Sequence, residues 1–340
     1  MRILILILLT LSISYGANSL KVATYNVENI FDLHFNGNEY KEYIPNSSWQ
    51  WNQKNYRKKL KNIAKVIVDI NADVIALQEI ESWRALKDLQ SEINRQGLYY
   101  QYLRIASQKK TTVKVAVLSK YPLKAAQEVY VTSSRRYRNI LEVTLKYKHQ
   151  DLTLFINHWK SKSGPESRRI VSAKALKKRL QQLHNKNYVL LGDFNSHYEE
   201  YKTFVKKRKH NDTLGQTGIN HVLQTVQYNN PIHYKDLKTC DDCSYNLWYE
   251  LKEKDRWSHI YRGKKEALDS IIISPALADN QGLEYKKGSF HSFVKPYLFH
   301  VKKGKKQLYR WQISYKYPKH HKGKGYSDHL ALVAEFIVVP

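Results

Sequence analysis

Several apolar runs in this chain end in a polar side chain capable of chemistry. Asn26 lies at the end of the first run, and Glu79 closes the second. His158 follows the run 152–156, and Asp193 and Asn195 follow 188–191. Asp269 precedes Ile271-Ile272-Ile273, and Asp328-His329 precede the final apolar stretch. One such residue is ordinarily a cap or a turn residue. The set supplies a complete inventory for phosphodiester hydrolysis. Carboxylate and amide oxygens hold a hard cation, which neutralises charge on a phosphate. An imidazole has the pKa to handle the proton of water, and a carboxylate partner fixes its tautomer. Amide and imidazole donors stabilise the charged transition state. No Cys or Ser nucleophile is required.

Such residues act together only if the fold brings the ends of the runs to one edge. The pattern alternates strands and helices. Residues 20–27, 72–78, 113–118, 140–145, 152–156, 188–191, 271–273 and 330–338 read as strands. Leu60, Ile63, Ala64, Ile67 and Ile70 recur at helical spacing in a Lys-rich stretch. Ser82 caps a second helix bearing Leu86, Leu89 and Ile93, and Pro165 opens a third bearing Ile170, Ala173, Leu176, Leu180 and Leu183. With no 20–50-residue repeat and no linker, the economical reading is one α/β domain over 18–340. Polar termini of strands are where α/β folds place chemistry. Two polar stretches, 197–265 and 284–326, fit this plan as insertions or long loops. The second carries 12 Lys or Arg against one Glu and is expected to be a basic appendage outside the catalytic core.

The ordered motifs Thr24-Tyr25-Asn26-Val27-Glu28-Asn29, Ala76-Leu77-Gln78-Glu79, Asn157-His158-Trp159, Gly192-Asp193-Phe194-Asn195-Ser196, Leu268-Asp269 and Ser327-Asp328-His329 resemble those of the endonuclease/exonuclease/phosphatase superfamily. Pancreatic-type DNase, sphingomyelinases and inositol-phosphate phosphatases are among its members. The likeness spans roughly 20–338 and is nearest to secreted bacterial nucleases. It implies a four-layer α/β sandwich, in which two packed mixed β-sheets are flanked by helices. It also implies roles. Glu79 is the main ligand of Mg2+ or Mn2+, helped by Asn26 and Asp328. His329 is the general base, oriented by Asp269. Asp193 and Asn195 position water or leaving group and phosphate. His158 donates to a phosphate oxygen or the leaving group. Arg138 contacts phosphate, with Arg135 and Arg136 as competitors for that place. Two departures from the family pattern stand out. Ser270 follows Asp269 where many relatives carry Tyr, His or Gln. No acid lies in 112–119 to partner His158, so this imidazole is expected to be weakly basic.

Composition narrows the substrate. The 340 residues carry 57 Lys+Arg and 30 Asp+Glu, a formal charge of +27. A hydrophobic content of 42% excludes a disordered chain, and 13 Gly with 8 Pro exclude a collagen-like one. The cationic excess favours a long polyanion over a small ester, because each phosphate contact releases counterions. Nucleic acid, DNA first, is the expected partner, with no stable membrane insertion. A sphingomyelinase-type enzyme needs an exposed apolar loop, for which Phe290, Phe293, Tyr297, Leu298 and Phe299 are the candidates. A non-catalytic nucleic-acid-binding protein on the same scaffold is the third reading. Arg2, the apolar run 3–13 and the small Ser14 and Gly16 read as a signal peptide over 1–17, so the protein is expected in the periplasm or outside the cell. In that setting Cys240 and Cys243 are expected to form an exposed local disulfide, the alternative being a zinc site that lacks a second ligand pair.

Overall fold

The computed structural model describes residues 19–107, 111–184, 186–302 and 304–339, so the expected signal peptide lies outside the described residues. The chain builds two mixed sheets. In the first, seven-stranded sheet, β1 (Leu20–Ile30) and β2 (Val74–Ile80) are parallel neighbours, and β3 (Tyr102–Ile105) and β4 (Lys114–Ser119) extend the β2 side. Leu332–Val338 pairs antiparallel with the other side of β1, and Leu283–Tyr285 forms the edge beyond it. In the second, six-stranded sheet, β5 (Leu123–Val129), β6 (Ile140–Tyr147), β7 (Gln150–His158) and β8 (Tyr188–Asp193) follow in order. Strands β7 and β8 are parallel, Asp269–Ile273 runs antiparallel to β8, and Tyr245–Asn246 closes the edge.

Burial on both faces explains why the strands read as near-continuous apolar runs. Val22, Val74, Ala76, Val115 and Val117 of the first sheet pack against Val143, Leu154, Ile156, Val189 and Leu191 of the second. The opposite face of the first sheet, with Ala23, Tyr25 and Leu77, is covered by α1 (Gln53–Ile70) and α2 (Trp83–Arg95). The outer face of the second, with Phe155 and Leu190, is covered by α3 (Ser167–Gln181). This is the expected four-layer sandwich. Ser82 caps α2 as expected, its Oγ accepting from the Ala85 amide at 3.0 Å.

The two polar stretches are more deeply built in than loops would be. Segment 197–265 supplies the edge strand Tyr245–Asn246 and buries Ile219, Leu223, Leu247 and Trp248. Segment 284–326 is not an appendage. It pairs His291–Ser292 with the final strand and buries Phe290, Phe293, Leu298, Leu308 and Trp311. Apolar residues spaced without a period gave no sign of this. Cys240 and Cys243 are joined in a disulfide. It is less exposed than expected, because Cys243 is buried in the inter-sheet core.

Candidate active site

Strand direction gathers the polar residues. The C-terminal ends of β1, β2, β7 and β8 meet the N-terminal ends of the strands antiparallel to them. Asp193 is directly opposite His158 on one side and Asp269 on the other. Two irregularities aim side chains. The register shifts between Gln78 and Ile80, and Glu79 takes a left-handed φ of 69°. That bulge lifts its carboxylate off the ladder. After β8, Gly192 sits at φ 129°, where a Cβ would lie 2.1 Å from the Asn157 carbonyl oxygen. Only glycine lets β8 approach β7 this closely.

Asn26 Nδ2 donates to Glu79 Oε1 at 3.2 Å and to Asp193 Oδ2 at 3.1 Å, tying the two sheets together. Its Oδ1 accepts from the Glu28 amide at 3.0 Å. Asp193 Oδ1 accepts from the Asn195 amide at 2.8 Å. His158 Nε2 lies 3.6 Å from Asp193 Oδ2 and 3.8 Å from Glu79 Oε1. His158 Nδ1 is buried without a protein partner. Burial, then the charges of Arg138, His329 and Lys160, hold this imidazole well below the ordinary histidine range. The weak basicity expected of it follows.

His329 is the opposite case. Its Nδ1 meets Asp269 Oδ2 at 2.7 Å, and the same oxygen accepts from Ser258 Oγ at 2.6 Å. Burial alone would lower His329, but Asp269, Asp328 and Asp193 outweigh it and raise it well above the usual value. Asp193 is pushed up to about 7, first by burial and then by Asp269. Burial and the neighbouring Asp328 also raise Glu79.

Among the described residues, a cleft of ≈ 670 Å³ opens onto this cluster, walled in part by Arg138, Lys160, Lys162 and Lys207. Of the three candidate arginines, Arg138, whose Nε donates to the Val113 carbonyl at 3.3 Å, is the one that lines it. Arg135 and Arg136 do not line it. All nine sequence-identified residues therefore fall in one region.

Sequence reasoning missed three neighbours. Arg310 Nε donates to Glu28 Oε1 at 2.7 Å, and its guanidinium lies 3.1 Å from Asp328 Oδ2. Ser258 and His259 come from the polar 197–265 stretch, where no apolar run marked them.

The donor set fits a hard divalent cation. Glu79, Asp193 and Asp328 crowd carboxylates, Asp193 buried and the other two half-buried, whose mutual repulsion a cation relieves, and the donors are oxygens. Two groups, Asp193-Asp269-His329 and His259-Asp328-His329, place their ligand atoms within 4.8 Å of one another. Asn26 differs from the expected ligand role in one respect. Its amide nitrogen faces the acids, so here it braces Glu79 and Asp193. A cation among these carboxylates would favour the amide oxygen instead.

A model of the endonuclease/exonuclease/phosphatase family matches residues 21–337. No curated protein matches the sequence. Solved structures share the fold at low identity. TDP2 of D. rerio, complexed with a single-strand DNA product, aligns with TM-score 0.55 at 11% identity over 94% of this chain and 98% of that one. Truncated TDP2 of Caenorhabditis elegans aligns with TM-score 0.54 at 14% identity, covering 94% and 98%. An endonuclease/exonuclease/phosphatase family protein of Leptotrichia buccalis C-1013-b aligns with TM-score 0.53 at 16% identity, covering 93% and 99%.

Proposed function

The chain belongs to the endonuclease/exonuclease/phosphatase family, and from that premise we propose that it is an exported, divalent-metal-dependent nuclease acting on DNA. The carrying observation is the convergence of Asn26, Glu79, His158, Asp193, Asp269 and His329 on one cleft with a cationic wall. The apolar run behind Arg2 supports export, and among the described residues no helix is long and apolar enough to cross a membrane.

Mg2+ or Mn2+ held by Glu79, Asp328 and Asn26 would neutralise phosphate charge and acidify water. The chain's own groups do the rest. Asp193, steadied by the Asn195 amide, orients the attacking water and takes its proton. His329 is kept charged by its acids and locked through Nδ1, so it presents Nε2–H to a phosphate oxygen. This exchanges the duties that the sequence suggested, where His329 was the base and Asp193 the positioner. The difference comes from Asp269, Asp328 and Asp193 acting on one imidazole. Neutral His158 and Arg138 donate to the remaining oxygens or to the leaving group.

The sphingomyelinase reading is less well supported, because three of its five candidate residues are withdrawn from the surface and Tyr297 and Phe299 are half-buried. Phe290, Phe293 and Leu298 of the candidate membrane loop are buried at 2%, 7% and 4% exposure. Incubating purified protein with plasmid DNA, RNA and sphingomyelin, with Mg2+ or with EDTA, tests the proposal. DNA cleavage abolished by EDTA is the expected result. Cleavage of sphingomyelin alone, or of DNA in EDTA, would overturn it.

A further inference from the structure

Two tyrosines stand on the cleft wall with an arginine beside each, and neither tyrosine belongs to the chemistry above. Tyr40 is 37% exposed, and its ring is anchored on Phe31 with centroids 5.5 Å apart. The Arg138 charge acts on its hydroxyl, and both residues line the cleft. Tyr261 is 55% exposed, and the Arg262 guanidinium lies 5.3 Å from its ring centroid. The first pair sits beside Glu79 and His158, whose protonation Arg138 influences. Tyr261 of the second lines the same cleft as His329.

The hairpin carrying Tyr261 is firmly seated. His259–Tyr261 pairs with Lys264–Glu266 through a two-residue turn, in which Arg262 at φ 49° and Gly263 at φ 82° are both left-handed. Positive φ at both positions is the geometry of a tight hairpin turn that matches strand twist. The hairpin base is bonded to the catalytic elements. Ser258 Oγ donates to Asp269, the Leu330 amide donates to the Ser258 carbonyl at 2.7 Å, and His259 bridges to His329. Residues 259 and 261 share a strand face, so His259 and Tyr261 both line the cleft.

We infer that Tyr40 and Tyr261 are stacking platforms for the nucleobases on the two sides of the scissile phosphate, with Arg262 on the flanking backbone. This inference rests on the nuclease reading and goes beyond it by naming the substrate class. Bases in an intact duplex offer their faces only to each other. A ring can stack on a base that is unpaired, so the preferred substrate is single-stranded nucleic acid or an unpaired end.

The test uses binding, which needs no turnover. Fluorescein-labelled oligothymidylate, an abasic tetrahydrofuran oligomer of equal length and a duplex are titrated against the full chain by anisotropy. The wild type should bind oligothymidylate more tightly than either alternative. Tyr40→Ala and Tyr261→Ala should each weaken oligothymidylate binding by about fivefold or more. Abasic binding should hold to within twofold. Tyr261→Phe, which keeps the ring, should retain the preference. Equal wild-type affinity for oligothymidylate and abasic oligomer, tighter duplex binding, or equal losses on both oligomers in the Ala variants would overturn the inference. The nuclease reading fails separately, by an absence of DNA cleavage in Mg2+.

Discussion

Replacing Asp269 with Asn changes one atom and removes one charge from a carboxyl that is 1% exposed. Its Oδ2 takes two short hydrogen bonds, from His329 Nδ1 at 2.7 Å and Ser258 Oγ at 2.6 Å. Bonds to a charged acceptor contribute roughly 1.5–3 kcal/mol each, about twice their neutral counterparts. An asparagine can satisfy Ser258 with its oxygen and then turns its NH2 toward His329. That makes Nδ1 the acceptor and leaves the proton on Nε2, so the imidazole still donates but loses the positive charge that Asp269 sustains and that strengthens its bond to the phosphate oxygen. Asp269→Asn should therefore lower kcat by about 10²-fold, the low end of the range for weakening a positioned transition-state donor, with KM changed far less. The pH response has a definite sign. Burial lowers His329, but Asp269 leads the groups that raise it above its unfolded value of about 6.5. The stability this pair contributes is present in full below that unfolded value and is lost as pH rises through the folded one. The Tm gap between wild type and variant should thus be widest in mildly acidic buffer and shrink as pH rises. Steady-state kinetics on a labelled oligonucleotide, with calorimetry from pH 5 to 9, reads both effects. A kcat within tenfold of wild type together with a constant Tm gap would refute the reasoning.

Three further outcomes follow from named contacts. Gly192→Ala should fail to give soluble folded protein or should lower Tm sharply, because its Cβ would meet the Asn157 carbonyl at 2.1 Å; an unchanged Tm would contradict the β7–β8 packing. Arg310→Ala leaves the buried Glu28 without its guanidinium partner, and should cost roughly 1–2 kcal/mol in urea unfolding after allowance for the exposed arginine head. Changing Lys302, Lys303, Lys305 and Lys306 together to Gln should flatten the slope of log K against log[salt] for duplex DNA by roughly two to four; an unaltered slope removes the hairpin Phe299–Lys302 with Lys305–Leu308 from the DNA-binding surface.

Most of the site was legible because its residues close apolar runs, and the ends of such runs are fixed by the sheet. Glu79, His158 and Asp193 lie at the ends of parallel strands, and Asn26 at the last regular β1–β2 pair before the register breaks, so recognising the strands located the cleft edge. Helices α1 and α2 announced themselves by 3.6-residue spacing and by the Ser82 cap. The hidden part lies in 197–265 and 284–326. Their buried residues, such as Trp248 and Trp311, arrive singly from short strands and turns, so no period betrays them. Ser258, His259 and Arg310 reach the site from these segments, and their sequence neighbours look like a solvated basic loop. Arg138 was separated from Arg135 and Arg136 only by the packing that sets its Nε on the Val113 carbonyl. The proton duties of His329 and Asp193 depend on three carboxylates from separate strands and loops, a sum that no local motif contains.

The account turns on whether this convergent cluster hydrolyses phosphodiesters. The most direct measurement is the first-order rate of cleavage of an end-labelled single-stranded DNA oligonucleotide at saturating Mg2+, for wild type and for folded His329→Ala. The account predicts wild-type cleavage that EDTA abolishes, and a rate at least ~10²-fold lower in His329→Ala. Cleavage by His329→Ala at the wild-type rate, or no cleavage by metal-loaded wild type, would contradict it.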